Sequence, residues 1–318
     1  MEHGIKGKAF KRLLENILIK LLGEEFKSAI FHLKPIILLT IAHALSSLVG
    51  FLITLLSARK LEVHTFGLFS LAYATITWIA VVGDFGVGAS MIRLYNKYKE
   101  DKEKQRAIIS SAFLWELVIF LLIALTSPLL TYLLLKTLGL NPEEAFYLFL
   151  ISFLSGGLFI LWNYLQAYLQ AKERFTTYSL YVFIYSLLRV LLLFFVYFVY
   201  SQSPVAWLLI SYAIPLLPLL FFFLFKNTSL ISLSFQSLVY TKEILAYSKW
   251  VAMSSIAGSS ILYVSRFILA KVSSLEEVGI FSAGVNLAFG LSVLYNGLYF
   301  FLYPKITAFE KDQISKYL

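Results

Sequence analysis

Apolar runs of about twenty residues recur between residues 36 and 303, separated by short polar connectors. Each run is long enough to cross the hydrocarbon layer of a bilayer, which is about 30 Å thick. Backbone polar groups find no partner in hydrocarbon, so the runs are predicted to be helices. The eight predicted spans are residues 36–57, 67–92, 108–135, 146–170, 179–200, 205–225, 248–270 and 278–303. We therefore predict an all-α, polytopic transmembrane helix bundle.

The composition also favours a membrane protein. Hydrophobic residues make up 59% of the chain and charged residues 14%, whereas soluble domains carry about 25% charged residues. Lipid-facing Phe and interfacial Tyr account for the high aromatic content. The chain has no Cys, and its four His residues lack metal-ligand spacing. We therefore expect no disulfide, no metal and no cofactor.

The basic residues predict the orientation of the bundle. Segments 1–35, 93–107, 171–178, 226–249 and 304–318 hold 21 of the 27 Lys and Arg residues, and the opposite connectors hold four. Positive residues favour the cytoplasmic side, so both termini are predicted to be cytoplasmic in a multi-pass protein of the cell membrane. The net charge of +9 is thereby assigned to anchoring beside anionic lipid rather than to nucleic-acid binding.

The spans group into predicted units along the chain. Residues 1–35 form a cytoplasmic lead-in whose apolar residues recur at helical spacing, which predicts an amphipathic helix on the membrane surface. A solvated helix without membrane contact is the alternative. Residues 36–226 form a lobe of six helices, 227–247 a cytoplasmic linker, 248–304 a partial second lobe and 305–318 a cytoplasmic tail.

An internal repeat supports this division. Ala58-Arg59 and Phe66–Ser70 correspond to Ala270-Lys271 and Val278–Ser282 at a constant offset of 212 residues. Spans one and two would thus correspond to spans seven and eight, as a parallel repeat about an axis along the membrane normal. The second copy contains only two spans, so we expect about four further helices, in a longer protein or in a separate chain. A chance match within an eight-span protein is the alternative.

The same segments resemble a known family. Residues 66–72 (FGLFSLA), 83–89 (GDFGVGA) and Arg93 resemble the N-terminal signature of polysaccharide-biosynthesis flippases of the multidrug/oligosaccharidyl-lipid/polysaccharide exporter superfamily. Residues 277–283 (EVGIFSA) resemble the start of the second lobe in that family. The resemblance implies alternating access, with lipid-linked saccharide and membrane lipids as partners. The family often has an acidic residue before the Arg-Phe pair of span seven, where this chain has Ser265 before Arg266.

Charged residues inside spans are the candidate site, because each costs about 2.5–3.5 kcal/mol on insertion scales and needs a partner or a wet cavity. Arg189 in mid-span five is predicted either to bind a substrate phosphate or to form an ion pair. Glu116 in span three is its candidate partner, or it titrates and couples proton entry to transport. Arg266, near the outer end of span seven, either snorkels to the surface or forms a cationic rim for the phosphate.

Three further residues are candidates for coupling or gating. Asp84 lies among three glycines that weaken the helix, and it is predicted to cap a broken helix end or to pair with Arg93. This segment is expected to bend near the inner gate. His43 on the first span is predicted to be a hydrogen-bonded polar residue, with a proton relay as the alternative.

These features favour a flippase for lipid-linked oligosaccharide and not an enzyme. The outer connectors are short, and the cytoplasmic stretch 226–247 has no phosphate-binding glycine loop, so ATP hydrolysis is not expected. A membrane-embedded glycan polymerase or glycosyltransferase, and a scaffold without transport activity, are the alternatives. Export of cationic drugs is disfavoured because the buried candidates are mainly basic.

Overall fold

The computed structural model describes residues 35 and 37–288, apart from 201, 228–229 and 231–234. The predicted amphipathic lead-in, the C-terminal tail and the eighth span from residue 289 onward lie outside these residues. Within the described residues the chain is helical and contains no β-strand. The helices are α1 (Ile37–Lys60), α2 (Val63–Asp84), α3 (Val87–Lys97), α4 (Lys102–Leu138), α5 (Pro142–Ala171), α6 (Phe175–Val199), α7 (Pro204–Leu208), α8 (Leu216–Lys226), α9 (Phe235–Val272) and α10 (Leu275–Ala288).

Seven of the predicted spans appear as stretches long and apolar enough to cross a membrane. The second is broken between α2 and α3, and the sixth is α7 and α8 with a π-helical turn, Leu209–Ala213, between them. Helix α9 begins at Phe235, inside the stretch 227–247 that the sequence predicts as a linker. Helix α10 is the start of the eighth span. The all-helical membrane fold is therefore confirmed.

Local sequence signals set several helix ends. Asp101 caps α4 by accepting the backbone N–H of Lys104 at 3.0 Å, and it also contacts the Lys104 ammonium at 3.1 Å. These contacts lower the pKa of the Asp101 carboxyl. Asn141 caps α5 just before Pro142, and α4 ends at Gly139, whose φ of 71° suits a helix C-terminus.

The outer surface of the bundle is apolar. Leu125, Phe198 and Ile261 are each more than three quarters exposed, and many other large apolar side chains also point outward. Exposing such side chains to water costs about 25 cal/mol per Å². This surface therefore suits a lipid environment.

Two hydrophobic cores fill the interior, one towards each end of the bundle. The end that carries the basic connectors, here called the basic end, is filled by residues such as Ile108, Tyr164 and Phe223. The opposite end is filled by residues such as Phe149 and Trp207. The intramembrane charged residues occupy the interior alongside these apolar side chains.

The two copies of the sequence repeat meet in space where α2 packs against α10. A Cβ atom added to Gly67 would lie 1.8 Å from the carbonyl oxygen of Leu275, and one added to Gly279 would lie 3.2 Å from that of Val63. Val63 and Leu275 are equivalent positions of the repeat, as are Gly67 and Gly279. Such an exchange of equivalent contacts is what a two-fold relation produces.

Candidate functional site

Arg189 and Arg266 are both buried inside the bundle. Their exposed fractions are 4% and 2%. The alternative in which Arg266 snorkels to the surface is therefore wrong, because neighbouring side chains cover it. Both guanidinium groups are instead part of the interior.

Arg189 projects from α6 towards α1. Its Nη1 donates to the carbonyl oxygen of Ser46 at 3.4 Å. One turn further along α1, a Cβ atom at Gly50 would lie 3.5 Å from Nη2 of the same guanidinium. The guanidinium carbon also lies 5.2 Å and 5.5 Å from the ring centroids of Tyr185 and Tyr212, within the range of cation–π contacts.

Arg266 projects from α9 into the same group of aromatic side chains. Its guanidinium carbon lies 5.7 Å from the ring centroid of Tyr263, and it interacts electrostatically with Tyr73 and Tyr212. The Tyr73 and Tyr212 rings are stacked, with centroids 4.8 Å apart. Because Tyr212 contacts Arg189 as well, the two arginines belong to one assembly. This arginine–tyrosine cluster consists of Tyr73, Tyr185, Arg189, Tyr212, Tyr263 and Arg266.

The cluster lacks a counter-charge among the residues that the structure describes. Within that part of the chain, neither arginine has a carboxylate oxygen within 4.0 Å. Nε of Arg189, and Nε and Nη1 of Arg266, are buried and have no hydrogen-bond partner among the described residues. The predicted ion pair between Arg189 and Glu116 is therefore wrong. Unused donors on buried cations suit an anionic ligand, since guanidinium groups bind phosphate and carboxylate in bidentate geometry.

The sequence analysis assigns tyrosines to the membrane interface and does not identify those of the cluster. Tyr185 and Tyr212 are buried in the middle of their helices. Tyr185 donates a hydrogen bond to the carbonyl oxygen of Ser211 at 3.1 Å. Ser211 and Tyr212 belong to the π-helical turn, a deviation that is frequent at functional sites. Tyr residues far from both span ends were the signal available in the sequence.

Asp84 lies at the break between α2 and α3. Phe85 and Gly86 have positive φ angles of 48° and 72°, and the Asp84 carboxylate accepts the Gly86 N–H at 3.0 Å. The expectation of a capped helix break is therefore correct. The alternative pairing with Arg93 is wrong, because the Arg93 guanidinium stacks on Tyr247 of α9 at 4.2 Å.

The carboxyl group of Glu116 interacts with the carboxyl group of Asp84 and not with an arginine. The Glu116 side chain is fully buried on α4, and its carboxyl group is within hydrogen-bonding reach of the half-buried Asp84 carboxyl. The two helices approach closely here because the neighbouring Gly83 has no side chain. A Cβ atom at Gly83 would lie 2.2 Å from Ile160 of α5 and 3.4 Å from Ile119 of α4.

His43 takes part in a hydrogen-bonded chain near the basic end. Its Nε2 lies 3.2 Å from the Tyr178 hydroxyl, which donates to Oε1 of Gln166 at 2.9 Å. His43 lies one turn before Ser46 on α1, and Ser46 contacts Arg189. The hydrogen-bonded role of His43 is therefore correct, and the proton relay stays a prediction.

The described residues contain no group of three His, Cys, Asp or Glu side chains that could hold a metal ion. The chemistry that they do provide comes in two parts. One is the cationic, aromatic cluster that joins α2, α6, α7–α8 and α9. The other is the acidic pair at the break between α2 and α3.

Comparisons with known proteins agree with this fold. The model of a family described as "Polysaccharide biosynthesis protein" matches residues 32–310. A MOP superfamily transporter from Pyrococcus furiosus Vc1 (DSM3638), whose binding pocket is described as having reverse polarity, is structurally similar with a TM-score of 0.53. The identity is 14%, and the match covers 87% of this chain and 68% of that chain. At this identity the likeness concerns the fold alone. A search of curated proteins finds no match.

Proposed function

The chain belongs to the family of polysaccharide biosynthesis proteins, and from this premise we propose that it is a flippase for lipid-linked oligosaccharide. The substrate is a saccharide on a polyprenyl phosphate or pyrophosphate, which crosses the cell membrane by alternating access. The family match over residues 32–310 supports a role in polysaccharide assembly. The similarity in fold to a MOP superfamily transporter supports a transport mechanism.

The observation that carries the proposal is the pair of buried guanidinium groups without a carboxylate partner. Each intramembrane charge costs about 2.5–3.5 kcal/mol on insertion scales. A protein that only needed a stable core would lose little by replacing these arginines with apolar residues. A phosphate or pyrophosphate would use the vacant donors of Arg189 and Arg266. We assign substrate binding to these two residues.

The position of the cluster fits alternating access. Arg189 and its contacts with α1 belong to the proposed first lobe, residues 36–226, whereas Arg266 belongs to the proposed partial second lobe, residues 248–304. Both guanidinium groups are almost completely covered in this conformation. Rocking of one repeat against the other would separate α9 from α2 and α7–α8 and expose the cluster. Asp84, Glu116, Arg93 and His43 would act in gating or coupling.

The orientation and the partners complete the proposal. Both termini lie in the cytoplasm, so that the basic end faces the anionic inner leaflet. The proposed partners are the lipid-linked saccharide and the lipids of the membrane, which the family match over residues 32–310 supports.

The test is flipping of a lipid-linked oligosaccharide by the purified protein in liposomes, scored separately from glycan elongation. We expect Arg189→Met and Arg266→Met each to lower the flipping rate about 10–100-fold, because hydrogen bonds to charged groups contribute about 1.5–3 kcal/mol. Arg59→Met is the matched control, since Arg59 is exposed at the end of α1.

The unfolding midpoint of the ligand-free protein distinguishes binding from a structural role. Removal of an unpaired buried charge relieves a desolvation cost, so neither methionine variant should lower the midpoint relative to Arg59→Met. Unchanged flipping in both variants would refute the assignment. Loss of flipping together with a large drop in the midpoint would show that the arginines hold the fold together.

A further inference from the structure

Asp84 and Glu116, the acidic pair at the break between α2 and α3, bring two carboxyl groups together inside the bundle. Neither the fold nor the arginine–tyrosine cluster explains this arrangement. Glu116 is fully buried, and among the residues that the structure describes both of its carboxyl oxygens lack a hydrogen-bond donor. Its carboxyl group interacts with a second carboxyl group, that of Asp84. Two ionised carboxylates in contact repel each other strongly in a medium of low dielectric constant. The pair therefore needs a positively charged ligand.

The surrounding side chains do not supply that charge. On α5, Tyr164 faces Glu116, but its hydroxyl donates to the carbonyl oxygen of Ile109 at 3.2 Å. Arg93 on α3 stacks on Tyr247, and Lys249 on α9 stacks on Trp250. Within the described residues, neither carboxyl group has a cationic nitrogen within 4.0 Å.

We propose that Asp84 and Glu116 form a proton-binding site that holds one proton between the two carboxyl groups. A single proton from water turns the repulsion into a hydrogen bond, in which one carboxyl group donates and the other accepts. It also supplies the missing donor for the buried Glu116 oxygens. Asp84 is half-buried whereas Glu116 is fully buried, so the proton enters through Asp84.

The geometry favours a proton over a metal ion. Hard cations require several oxygen ligands. Here Asp84 faces N–H groups instead, because it accepts the Gly86 N–H at 3.0 Å and interacts with the N–H of Gly88. These donors point their positive ends at the site. The Asp84 and Glu116 side chains interact with each other, and a shared proton needs no ligand beyond these two carboxyl groups.

The site lies where it can act on the arrangement of the helices. Asp84 accepts the N–H of Gly86, the residue just before α3, and α3 contacts α9 through the Ser90 and Ser248 hydroxyl oxygens, 2.8 Å apart. Loss of the proton would push the Asp84 carboxyl away from α4 and disturb its hydrogen bond to Gly86. This coupling to α9 rests on the proposed function, whereas the proton site itself does not.

The direct test is infrared difference spectroscopy of the purified protein between acid and alkaline buffer, without substrate. We expect a C=O band of a buried carboxylic acid that shifts in D₂O. Asp84→Asn and Glu116→Gln keep the side-chain volumes, and each should alter or abolish this band. Glu103→Gln is the control on the same helix, since Glu103 is exposed, and should leave the band unchanged.

The outcomes separate the two proposals. The proton site is refuted if the wild-type band is absent, or if it is the same in Asp84→Asn and Glu116→Gln while both variants keep their helical circular dichroism. A band that persists at all pH values but disappears when sodium is added would point to a sodium site instead. The flipping assay is scored separately: a normal band without any flipping would keep the proton site and refute the transport function.

Discussion

At the residue scale, tyrosine rings take the place that a carboxylate would have beside the buried arginines. The ring faces of Tyr185 and Tyr212 contribute cation–π attraction to Arg189, worth about 0.5–2 kcal/mol per contact. This attraction lowers the cost of burial without neutralising the charge. A carboxylate partner would neutralise it and compete with an anionic ligand. The cluster thus keeps both charges available.

Tyr212 tests this role because it contacts Arg189 and stacks on Tyr73. We expect Tyr212→Leu to weaken binding of the proposed anionic substrate about 3–30-fold, the loss that corresponds to one cation–π contact. Tyr212→Phe keeps the ring face and should bind within about 3-fold of the wild type. The measurement is equilibrium binding of a polyprenyl-phosphate saccharide to the protein in nanodiscs.

The control for this comparison is Tyr147→Leu, because the Tyr147 side chain is 70% exposed on the outer surface. It should bind like the wild type. Equal losses in the Phe and Leu variants of Tyr212 would show that the hydroxyl group, not the ring face, contributes to the site.

At the scale of single elements, the break between α2 and α3 depends on one glycine more than on the others. The sequence predicted a bend from Gly83, Gly86 and Gly88 together. In the structure only Gly86 has a positive φ angle, 72°, and it also packs against α9. The other two allow close approach of Ile160 and Ala167 of α5. Conformational freedom and packing are thus separate requirements that the sequence alone does not distinguish.

We expect Gly86→Ala to be more destabilising than Gly139→Ala. Both residues have φ near 70°, so both variants pay about 1–2 kcal/mol for the left-handed conformation. A Cβ atom at Gly86 would also lie 2.8 Å from Cβ of Val251 and 3.0 Å from the Ser248 carbonyl oxygen, whereas one at Gly139 would meet none of the described atoms within 4 Å. The difference between the two unfolding free energies therefore measures the contact of the break with α9.

Chemical denaturation in mixed micelles gives both values. An extra loss of about 1–3 kcal/mol in Gly86→Ala corresponds to overpacking. If the two variants lose the same stability, α9 does not pack tightly on the break, and the proposed link between the acidic pair and α9 fails with it.

The spans were predictable because hydrocarbon requires long apolar helices, and seven of them appear in the described residues. The side-chain partners were harder to predict. Glu116 and Arg189 were expected to pair because opposite charges attract, but their helices present them to different neighbours. Spacing along one chain does not show which faces of α2, α4 and α6 meet. The tyrosine cluster was missed for the same reason, since its members lie on separate helices.

At the scale of the whole molecule, the internal repeat has a physical counterpart in the contact between α2 and α10. The repeat-equivalent glycines Gly67 and Gly279 each face the backbone of the other helix. Few identities were available in the sequence, and those present include these two glycines. A side chain at either position would separate the two copies. The contact therefore links the proposed lobes near the end opposite the basic end.

The three glycines of α2 and α10 differ in how closely they approach neighbouring backbone, so we predict different losses of stability when each is replaced by alanine. A Cβ atom at Gly67 would lie 1.8 Å from the Leu275 carbonyl oxygen, and one at Gly279 would lie 3.2 Å from the Val63 carbonyl oxygen. Gly284 on the same α10 has no described atom within 4 Å of such a Cβ. We expect Gly67→Ala to destabilise the protein by about 1–3 kcal/mol through overpacking. Gly279→Ala should have a smaller effect, and Gly284→Ala should behave like the wild type.

Spin labels can measure the separation of the two copies directly, because the chain has no native Cys. Val63→Cys and Ile280→Cys place labels at exposed positions, 54% and 67% accessible, on α2 and α10. The distance distribution should become longer and broader in Gly67→Ala but not in Gly284→Ala. Since backbone oxygen cannot move aside as a side chain can, the two helices must part. An unchanged distribution in Gly67→Ala would mean that α2 and α10 are not in contact, and that the repeat does not bring its copies together.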